Sequence, residues 1–183
     1  MTGTFFAIVG PSGAGKDTLI NYAQNALTDD PRFVFPRRWI TRPSDSCGEN
    51  HRMIRPEQFA QMRQDGGFFL DWQAHGLSYG IPAGVTGLIA EGVSAVVNIS
   101  RTAIGALCDA VEPVRIIKVT APREVIAARL AARQRETSRD IKQRLARSDY
   151  TLPMGVSADT VCNNGSIEQA GTRFVSLLTN PTP

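Results

Sequence analysis

A short apolar run leads directly into a glycine-rich loop near the start of the chain, and this feature constrains the fold most. The run TFFAIVG (4–10) has the length and composition of a buried strand. The loop GPSGAGKDT (10–18) follows, and DTLINYAQNAL (17–27) continues with apolar residues at helical spacing. Strand, loop and helix in this order are the context in which a G-x-x-x-x-G-K motif binds phosphate. The segment therefore predicts a phosphate-binding β–loop–α unit.

The residues of this loop are predicted to bind ATP through both backbone and side chains. Glycines let backbone N–H groups turn toward phosphate oxygens, and the helix that follows presents its positive end to them. Lys16 can reach the β- and γ-phosphates. The predicted ATP-binding residues of the loop are Gly10, Pro11, Ser12, Gly13, Ala14, Gly15, Lys16, Asp17 and Thr18.

Asp17 stands where the usual motif has a serine or threonine whose hydroxyl ligates Mg²⁺, and Thr18 comes one residue later. A carboxylate can hold Mg²⁺ directly or through water, because hard cations prefer oxygen ligands. The alternative is a favourable negative charge at a helix N-terminus. Thr18 is offset by about 100° on the helix, so its hydroxyl is predicted to meet the α-phosphate. We predict Mg²⁺ as the cofactor, with Asp17 as its ligand and ATP as co-substrate.

The rest of the chain alternates strand-like and helix-like segments. The predicted strands are 33–41, 94–100, 114–121 and 158–164. The predicted helices are 56–67, 82–92, 122–134, 137–150 and 166–178. This alternation indicates an α/β fold with a parallel sheet covered on both faces, in which ligands bind beyond the carboxyl ends of the strands.

Length, hydropathy and cysteine use restrict the class of protein. A chain of 183 residues suits one domain with small inserted lobes. The N-terminus has no basic n-region, and no apolar run approaches the roughly 20 residues of a membrane span. The three cysteines are widely spaced without a C-x-x-C pair, which favours free thiols and disfavours a metal cluster. We therefore expect a cytoplasmic protein without a membrane partner.

Positive charge is concentrated in two segments. Residues 32–63 hold seven arginines and three acids, and residues 123–147 hold seven arginines, one lysine and three acids. Arginine suits bidentate phosphate contacts, so a small polyphosphate held from two sides is one interpretation. Nucleic-acid binding is another, although residues 123–147 lack interleaved aromatic residues. Solvated helix faces are a third.

Five motifs in a fixed order resemble the guanylate kinases. The first three are GPSGAGK (10–16), ITRP (40–43) and FFLDWQAHGLSYG (68–80), which are similar to that family's GPSG-x-GK, TTRP and F-x-E-W…G-x-x-YG. RLAARQRETSRDIKQRL (129–145) resembles the lid of these kinases, and VCNN (161–164) resembles their final VN. The resemblance covers nearly the whole chain.

This resemblance implies one guanylate-kinase-like domain over residues 1–183. The implied fold is a P-loop, nucleoside-monophosphate-kinase-like three-layer sandwich with a parallel core sheet, a small acceptor-binding lobe and a lid. The implied core comprises residues 1–35 and 81–183, the acceptor-binding lobe about 36–80, and the lid about 129–147.

Departures from the guanylate kinases fall on the positions that recognise guanine. Arg38 takes the place of a serine, and Asn98 and Ser100, followed by Arg101, take the place of strand-end acids. Only Asp71 remains as an acid at these positions, one methylene shorter than the family's glutamate. Guanine presents N–H donors that suit carboxylate acceptors. A site with fewer carboxylates and more arginines suits an acceptor with an extra phosphate and no base.

Taken together, these departures resemble the ribose 1,5-bisphosphate phosphokinases of phosphonate utilisation. The shared motifs are GKD, ITR, GENH, W-x-x-HG-x-x-YG and VN-x-SR. The resemblance implies that ATP and ribose 1,5-bisphosphate react to give ADP and 5-phosphoribosyl 1-diphosphate. It implies small-molecule substrates and no nucleic-acid partner. The sequence leaves the oligomeric state open, with a dimer among the alternatives.

The resemblance also implies roles for residues outside the loop. Arg133 and Arg144 match lid arginines that close over the transferred phosphoryl group, and with Lys16 they are the predicted catalytic residues. Arg129 is a further lid candidate, with a solvated helix face as its alternative. Asn163 is interpreted as an ATP-binding residue at the adenine edge, with an ordinary turn role as its alternative. The predicted acceptor-binding residues are Arg38, Arg42, His51, Asp71, Tyr79, Ser100 and Arg101.

Other functions stay open at this point. A guanylate kinase with an altered pocket is one alternative, and Asp71 supports it. A non-catalytic, guanylate-kinase-like protein-binding module is a second, which the retention of Lys16 and the lid arginines disfavours. A nucleic-acid-binding NTPase is a third.

Overall fold

The computed structural model describes residues 2–42, 51–132 and 156–180. The predicted helix 137–150 and the predicted catalytic residues Arg133 and Arg144 lie outside these ranges, as does most of the predicted lid. Within these ranges the chain forms strands and helices in the alternation expected from its apolar pattern. Across these ranges, no helix combines the length and the apolar character that a membrane span requires.

Strands and helices follow each other through most of the described chain. The strands are β1 Phe5–Val9, β2 Phe33–Val34, β3 Trp39–Ile40, β4 Arg52–Met53, β5 Phe68–Ala74, β6 Leu77–Pro82, β7 Ser94–Asn98, β8 Val114–Thr120 and β9 Ala158–Cys162. The helices are α1 Lys16–Ala26, α2 Pro56–Gln64, α3 Gly84–Ala90, α4 Ile104–Ala110, α5 Arg123–Ala132 and α6 Ile167–Thr179.

A five-stranded sheet contains the strand that precedes the phosphate loop. Its order is β2–β7–β1–β8–β9, and the β2–β7 and β8–β9 pairs are parallel. All five residues of β1 are buried, as an apolar run covered on both faces requires. The predicted parallel α/β core is therefore confirmed.

A second, four-stranded sheet has the order β4–β3–β6–β5. Its main part is the antiparallel β5–β6 hairpin, whose two-residue turn is His75 and Gly76. Both residues have positive φ, 54° and 73°, the backbone that matches the twist of a two-residue hairpin. This segment stands out in the sequence as a motif, but its two strands were not predicted.

The prediction of one strand over residues 33–41 is wrong. The segment contains two short strands, β2 and β3, which belong to different sheets. Pro36 lies between them and has no N–H to donate to a strand ladder, so one continuous strand cannot form across it. Similarly, the helix predicted from Pro82 begins two residues later at Gly84, because Pro82 completes β6.

The chain divides into two compact units. One consists of Met1–Ala7 with Leu27–Arg115, and the other of Ile8–Ala26 with Ile116–Pro183. The first unit contains the four-stranded sheet, and fully buried side chains such as Ile40 and Ile81 belong to it. The second contains the phosphate loop, and its fully buried side chains include Leu19, Ile117, Leu130 and Phe174. The predicted boundaries of acceptor lobe and lid stay predictions.

Candidate active site

The phosphate loop lies in the second unit and turns between β1 and α1 through glycines that no other residue could replace without strain. Gly10, Gly13 and Gly15 have φ values of 143°, 87° and 91°, a region that glycine enters without steric cost. A side chain at Gly10 would meet the carbonyl of Val119, and one at Gly15 would meet the side-chain amide of Asn163. Glycine is thus required at positions 10 and 15 both by the positive backbone φ and by the lack of room for a side chain.

Lys16 is the first residue of α1, and its ammonium lies over the beginning of the loop. Its Nζ donates hydrogen bonds to the carbonyl oxygens of Gly10, at 2.8 Å, and Pro11, at 3.0 Å. Asp17 is half-buried in the first turn of α1, and Thr18 is exposed. The loop therefore brings together backbone donors, one cation and one carboxylate within a single turn.

Two side chains from distant segments donate to the same carbonyl in the loop. Asn163 Nδ2 lies 2.8 Å from the oxygen of Ala14, and Arg129 Nη1 lies 3.4 Å from it. Asn163 is buried, with 4% of its surface exposed. Arg129 is half-buried, and its guanidinium contacts the loop, so it does not face solvent alone. Its role in the lid stays a prediction.

In the first unit, an arginine and two aromatic rings form a stack. The Arg38 guanidinium carbon lies 5.8 Å from the centre of the Tyr79 ring, and the Tyr79 ring stacks on Trp72 at 5.3 Å with an interplanar angle of 5°. All three residues are buried, and Arg38 is 9% exposed. A guanidinium over an aromatic face is stabilised by the ring quadrupole. Arg38 is thus a buried cation whose guanidinium lies against the Tyr79 ring, which itself stacks on Trp72.

The register of the hairpin separates two predicted acceptor-binding residues. Trp72 pairs with Tyr79, and Asp71 pairs with Gly80. Because neighbouring residues of a strand face opposite sides of the sheet, Asp71 and Tyr79 lie on opposite faces. The Arg38–Tyr79–Trp72 stack occupies one face, and Asp71 occupies the other.

Asp71 is paired with Arg63, which is not among the predicted site residues. The Nε of Arg63, in the last turn of α2, lies 3.1 Å from each carboxylate oxygen of Asp71. The pair is partly exposed, with 62% of the Arg63 side chain and 26% of the Asp71 side chain accessible. Nothing in the spacing of α2 and β5 could have shown this pair, since it depends on how the helix packs on the hairpin.

The remaining predicted acceptor-binding residues have varied surroundings. Ser100 caps the 3-10 helix Arg101–Ala103: its Oγ accepts from Thr102 N at 3.4 Å and lies 2.9 Å from Thr102 Oγ1. Arg101 begins that helix and is half-buried. His51 is half-buried with its Nε2 atom inaccessible to solvent.

Arg42 follows β3 and is half-buried. The preceding residue, Thr41, exchanges hydrogen bonds with Ser78 of β6: its N–H donates to the Ser78 carbonyl at 3.1 Å, and its Oγ1 accepts from Ser78 N at 2.8 Å. The backbone that carries Arg42 is therefore tied to the hairpin. The acceptor roles of these residues stay predictions.

Solved structures at low sequence identity share the fold of this chain. A guanylate kinase from Anaplasma phagocytophilum superposes with a TM-score of 0.69 at 18% identity, covering 97% of this chain and 85% of that one. A gluconokinase from Sinorhizobium meliloti gives a TM-score of 0.54 at 14% identity, covering 97% and 91%. Together with the phosphate loop, these likenesses place the chain in the fold class of the P-loop kinases.

Curated relatives at higher identity define the family. A ribose 1,5-bisphosphate phosphokinase from Methylobacterium radiotolerans is 43% identical over 179 residues, which are 97% of this chain and 98% of the relative. One from Agrobacterium fabrum is 43% identical over 171 residues, 93% of each chain. The chain therefore belongs to the family of ribose 1,5-bisphosphate phosphokinases. No family model matches it.

Some relatives are longer. A bifunctional ribose 1,5-bisphosphokinase–thymidine phosphorylase from Cupriavidus pinatubonensis is 44% identical over 179 residues, which are 98% of this chain but 30% of that protein. The chain thus spans 26–30% of the length of the bifunctional relatives that it matches.

Proposed function

We propose that this chain transfers the γ-phosphoryl group of ATP to ribose 1,5-bisphosphate, with 5-phosphoribosyl 1-diphosphate and ADP as products. Family membership supports the reaction, since the stand-alone relatives carry that name over nearly their full length. The observation that carries the choice of acceptor is the ion pair and the orientation of Asp71. The acid retained at the guanine-recognition positions is paired with Arg63 and faces away from Arg38 and Tyr79.

The chemistry needs no general base. The nucleophile is an oxygen of the 1-phosphate of the acceptor, which is already anionic at neutral pH. A bond forms between that oxygen and the γ-phosphorus, while the bond from the γ-phosphorus to the bridging oxygen of ADP breaks. Catalysis of such a transfer is positioning together with stabilisation of charge on the transferring phosphoryl group.

On the ATP side, the loop and Lys16 supply this stabilisation. The positive-φ glycines and the first turn of α1 turn backbone N–H groups toward the phosphates. Lys16 supplies a full positive charge, and its Nζ is held by the carbonyl oxygens of Gly10 and Pro11. We propose Arg133 and Arg144, on the resemblance alone, as the cations that close over the γ-phosphate.

On the acceptor side, three arginines supply the counter-charges. Arg38 is buried and stacked on Tyr79, so little conformational freedom is lost when its fork binds a phosphate. Arg42 and Arg101 belong to the same unit and are half-buried. A bisphosphate offers these cations a second anionic group. A nucleoside monophosphate instead brings a base whose N–H groups lack carboxylate partners.

The residues of the loop fit Mg²⁺. Mg²⁺ usually keeps several waters and takes one or two carboxylates plus substrate phosphates, so it does not require a cage of protein ligands. No cluster of three His, Cys, Asp or Glu suited to a metal occurs among the described residues, and Asp17 follows Lys16 in the first turn of α1. We propose Asp17 as the residue that would hold the ion, directly or through water. When bound, the ion would neutralise charge on the β- and γ-phosphates.

A coupled assay of ADP release tests the choice of acceptor. Ribose 1,5-bisphosphate and GMP are compared with saturating ATP and Mg²⁺. Each unpaired polar group of the base costs about 1–3 kcal/mol, so kcat/KM for the bisphosphate should exceed that for GMP by about 100-fold or more. Comparable values would identify a guanylate kinase instead. No ADP release with either acceptor would favour a non-catalytic module.

A further inference from the structure

The amide of Asn163 is fixed at the end of β9 with one donor directed at the phosphate loop. Its backbone N–H donates to the Thr120 carbonyl at 2.7 Å, which holds the residue beside β8. Its side-chain Nδ2 donates to the Ala14 carbonyl at 2.8 Å. With 4% of its surface exposed, Asn163 has little access to water as a substitute partner. The bond to Ala14 is therefore well defined.

This hydrogen bond orients the peptide unit between Ala14 and Gly15. In a planar trans peptide the carbonyl oxygen and the next N–H point in opposite directions. Because Asn163 binds the oxygen of Ala14, the N–H of Gly15 points away from Asn163. A phosphate-binding loop requires this orientation if the Gly15 N–H is to reach a phosphate oxygen.

Two further observations indicate the same orientation of the Ala14–Gly15 peptide. Arg129 donates to the same oxygen at 3.4 Å. Two donors on this carbonyl polarise the peptide unit, which makes the Gly15 N–H a stronger donor. Gly15 has φ 91°, and a Cβ there would meet Asn163 Nδ2. Glycine at position 15 and asparagine at position 163 thus belong to one arrangement, although 148 residues separate them.

We propose that Asn163 is a positioning residue for the phosphate loop, which acts on the triphosphate of the nucleotide through the Ala14–Gly15 peptide. This differs from a contact with the adenine edge, because the base plays no part in it. The inference rests on the proposed function only in that the loop binds ATP. It predicts that loss of the amide donor weakens any ligand that carries the triphosphate, whatever else the ligand carries.

Calorimetric titration with two ligands tests this role. Wild type and Asn163→Asp, which is isosteric but replaces the donor with a carboxylate oxygen, are titrated with Mg²⁺–ATP and with Mg²⁺–tripolyphosphate. We expect both dissociation constants to rise by the same factor, about tenfold, because a donor is exchanged for repulsion against the Ala14 oxygen. In turnover, KM for ATP should rise while KM for the acceptor stays unchanged.

Two results would overturn the proposal. A loss of affinity for ATP with tripolyphosphate unaffected would assign Asn163 to the adenine instead. Unchanged affinity for both ligands would show that the peptide needs no help from Asn163. The exposed neighbour provides the control, since Asn164→Asp adds the same charge one residue away and should leave both constants unchanged.

Folding and function are separated by additional measurements. Melting without ligand shows whether Asn163→Asp folds. If it does not, Asn163→Ala replaces it, and both dissociation constants should again rise by one common factor, smaller than for Asn163→Asp because alanine removes the donor without adding repulsion. A variant that melts lower but binds both ligands normally would reduce Asn163 to a structural residue and overturn the proposal. If the wild type releases no ADP with ribose 1,5-bisphosphate, the proposed function fails, and the two titrations still decide the role of Asn163.

Discussion

The phosphate loop and the β5–β6 hairpin carry two parts of the predicted chemistry, and they are built in different ways. The loop is contiguous in sequence and works mainly through its backbone, whose shape depends on three positive-φ glycines. In the hairpin, side chains supply the predicted contacts to the acceptor. Its stack brings Arg38 against Tyr79, which packs on Trp72, and both aromatic residues lie more than thirty residues later in the chain. A site built from the backbone groups of consecutive residues can be recognised as a sequence motif. A site built from side chains that are distant in sequence depends on strand register.

This difference also predicts how each region responds to substitution. In the loop, removing one charged group should affect catalysis without affecting the hydrophobic core. In the hairpin, a change on one face should leave the chemistry of the other face unaffected, because neighbouring residues of a strand point to opposite faces of the sheet. Four substitutions test this contrast, from the largest expected effect to the smallest.

Lys16→Ala should lower kcat by about 10³-fold, because a cation that stabilises the transferring phosphoryl group is lost. Lys16 is half-buried at the start of α1 and its Nζ donates to two loop carbonyls, outside the hydrophobic core, so the melting temperature should change by no more than a few degrees. Steady-state kinetics and thermal melting measure the two effects. Retention of more than about a tenth of the activity would contradict the loop assignment.

Arg38→Ser should raise the acceptor's KM by about 10- to 100-fold, since a charge-assisted hydrogen bond contributes about 1.5–3 kcal/mol. KM for ATP should stay within twofold of wild type. Arg37→Ser is the matched control, because Arg37 is exposed and adjacent, and its kinetics should not change. An equal increase in both KM values would show that Arg38 acts on the fold and not on the acceptor.

Gly80→Ala should lower the free energy of unfolding by about 1–3 kcal/mol through overpacking. A Cβ at this position would lie 2.6 Å from the Phe68 ring, which stacks on Phe59 at 4.6 Å and cannot easily move away. Urea denaturation measures the change. Gly87→Ala is the control: the space around Gly87 in α3 is open, and the substitution should stabilise the protein by up to about 1 kcal/mol. Equal effects at both positions would contradict the packing at Gly80.

Arg63→Ala should have the smallest effect. Its ion pair with Asp71 is partly exposed, so we expect a loss of stability below about 1 kcal/mol, which diminishes further at high salt. Turnover of ribose 1,5-bisphosphate and kcat/KM for GMP should both be unchanged, because Asp71 lies on the face of the sheet opposite Arg38 and Tyr79. A double-mutant cycle with Asp71→Ala measures the interaction free energy of the Arg63–Asp71 pair. A large fall in activity with the bisphosphate would place Arg63 in the acceptor site instead.

Much of the fold follows from local pattern. The buried strand before the loop, the helix after it and the later strands at 94–100, 114–121 and 158–164 are confirmed, because apolar runs bounded by glycine or polar residues identify them directly. The segment 33–41 was predicted wrongly as one strand, since composition does not reveal that Pro36 separates strands of two sheets. The β5–β6 hairpin contains alternation, but its turn, His75-Gly76, lacks the commonest turn signal.

The sequence by itself determined the phosphate loop and the identity of its charged residues, because the φ preference of glycine and the position of Lys16 are properties of consecutive residues. Only the tertiary structure decided that Asp71 is paired with Arg63 on the face opposite Tyr79, and that Asn163 and Arg129 share the carbonyl of Ala14. These contacts join residues that are distant in sequence, and they depend on strand register and helix packing. Such pairings become definite only when the buried surfaces of the chain come together.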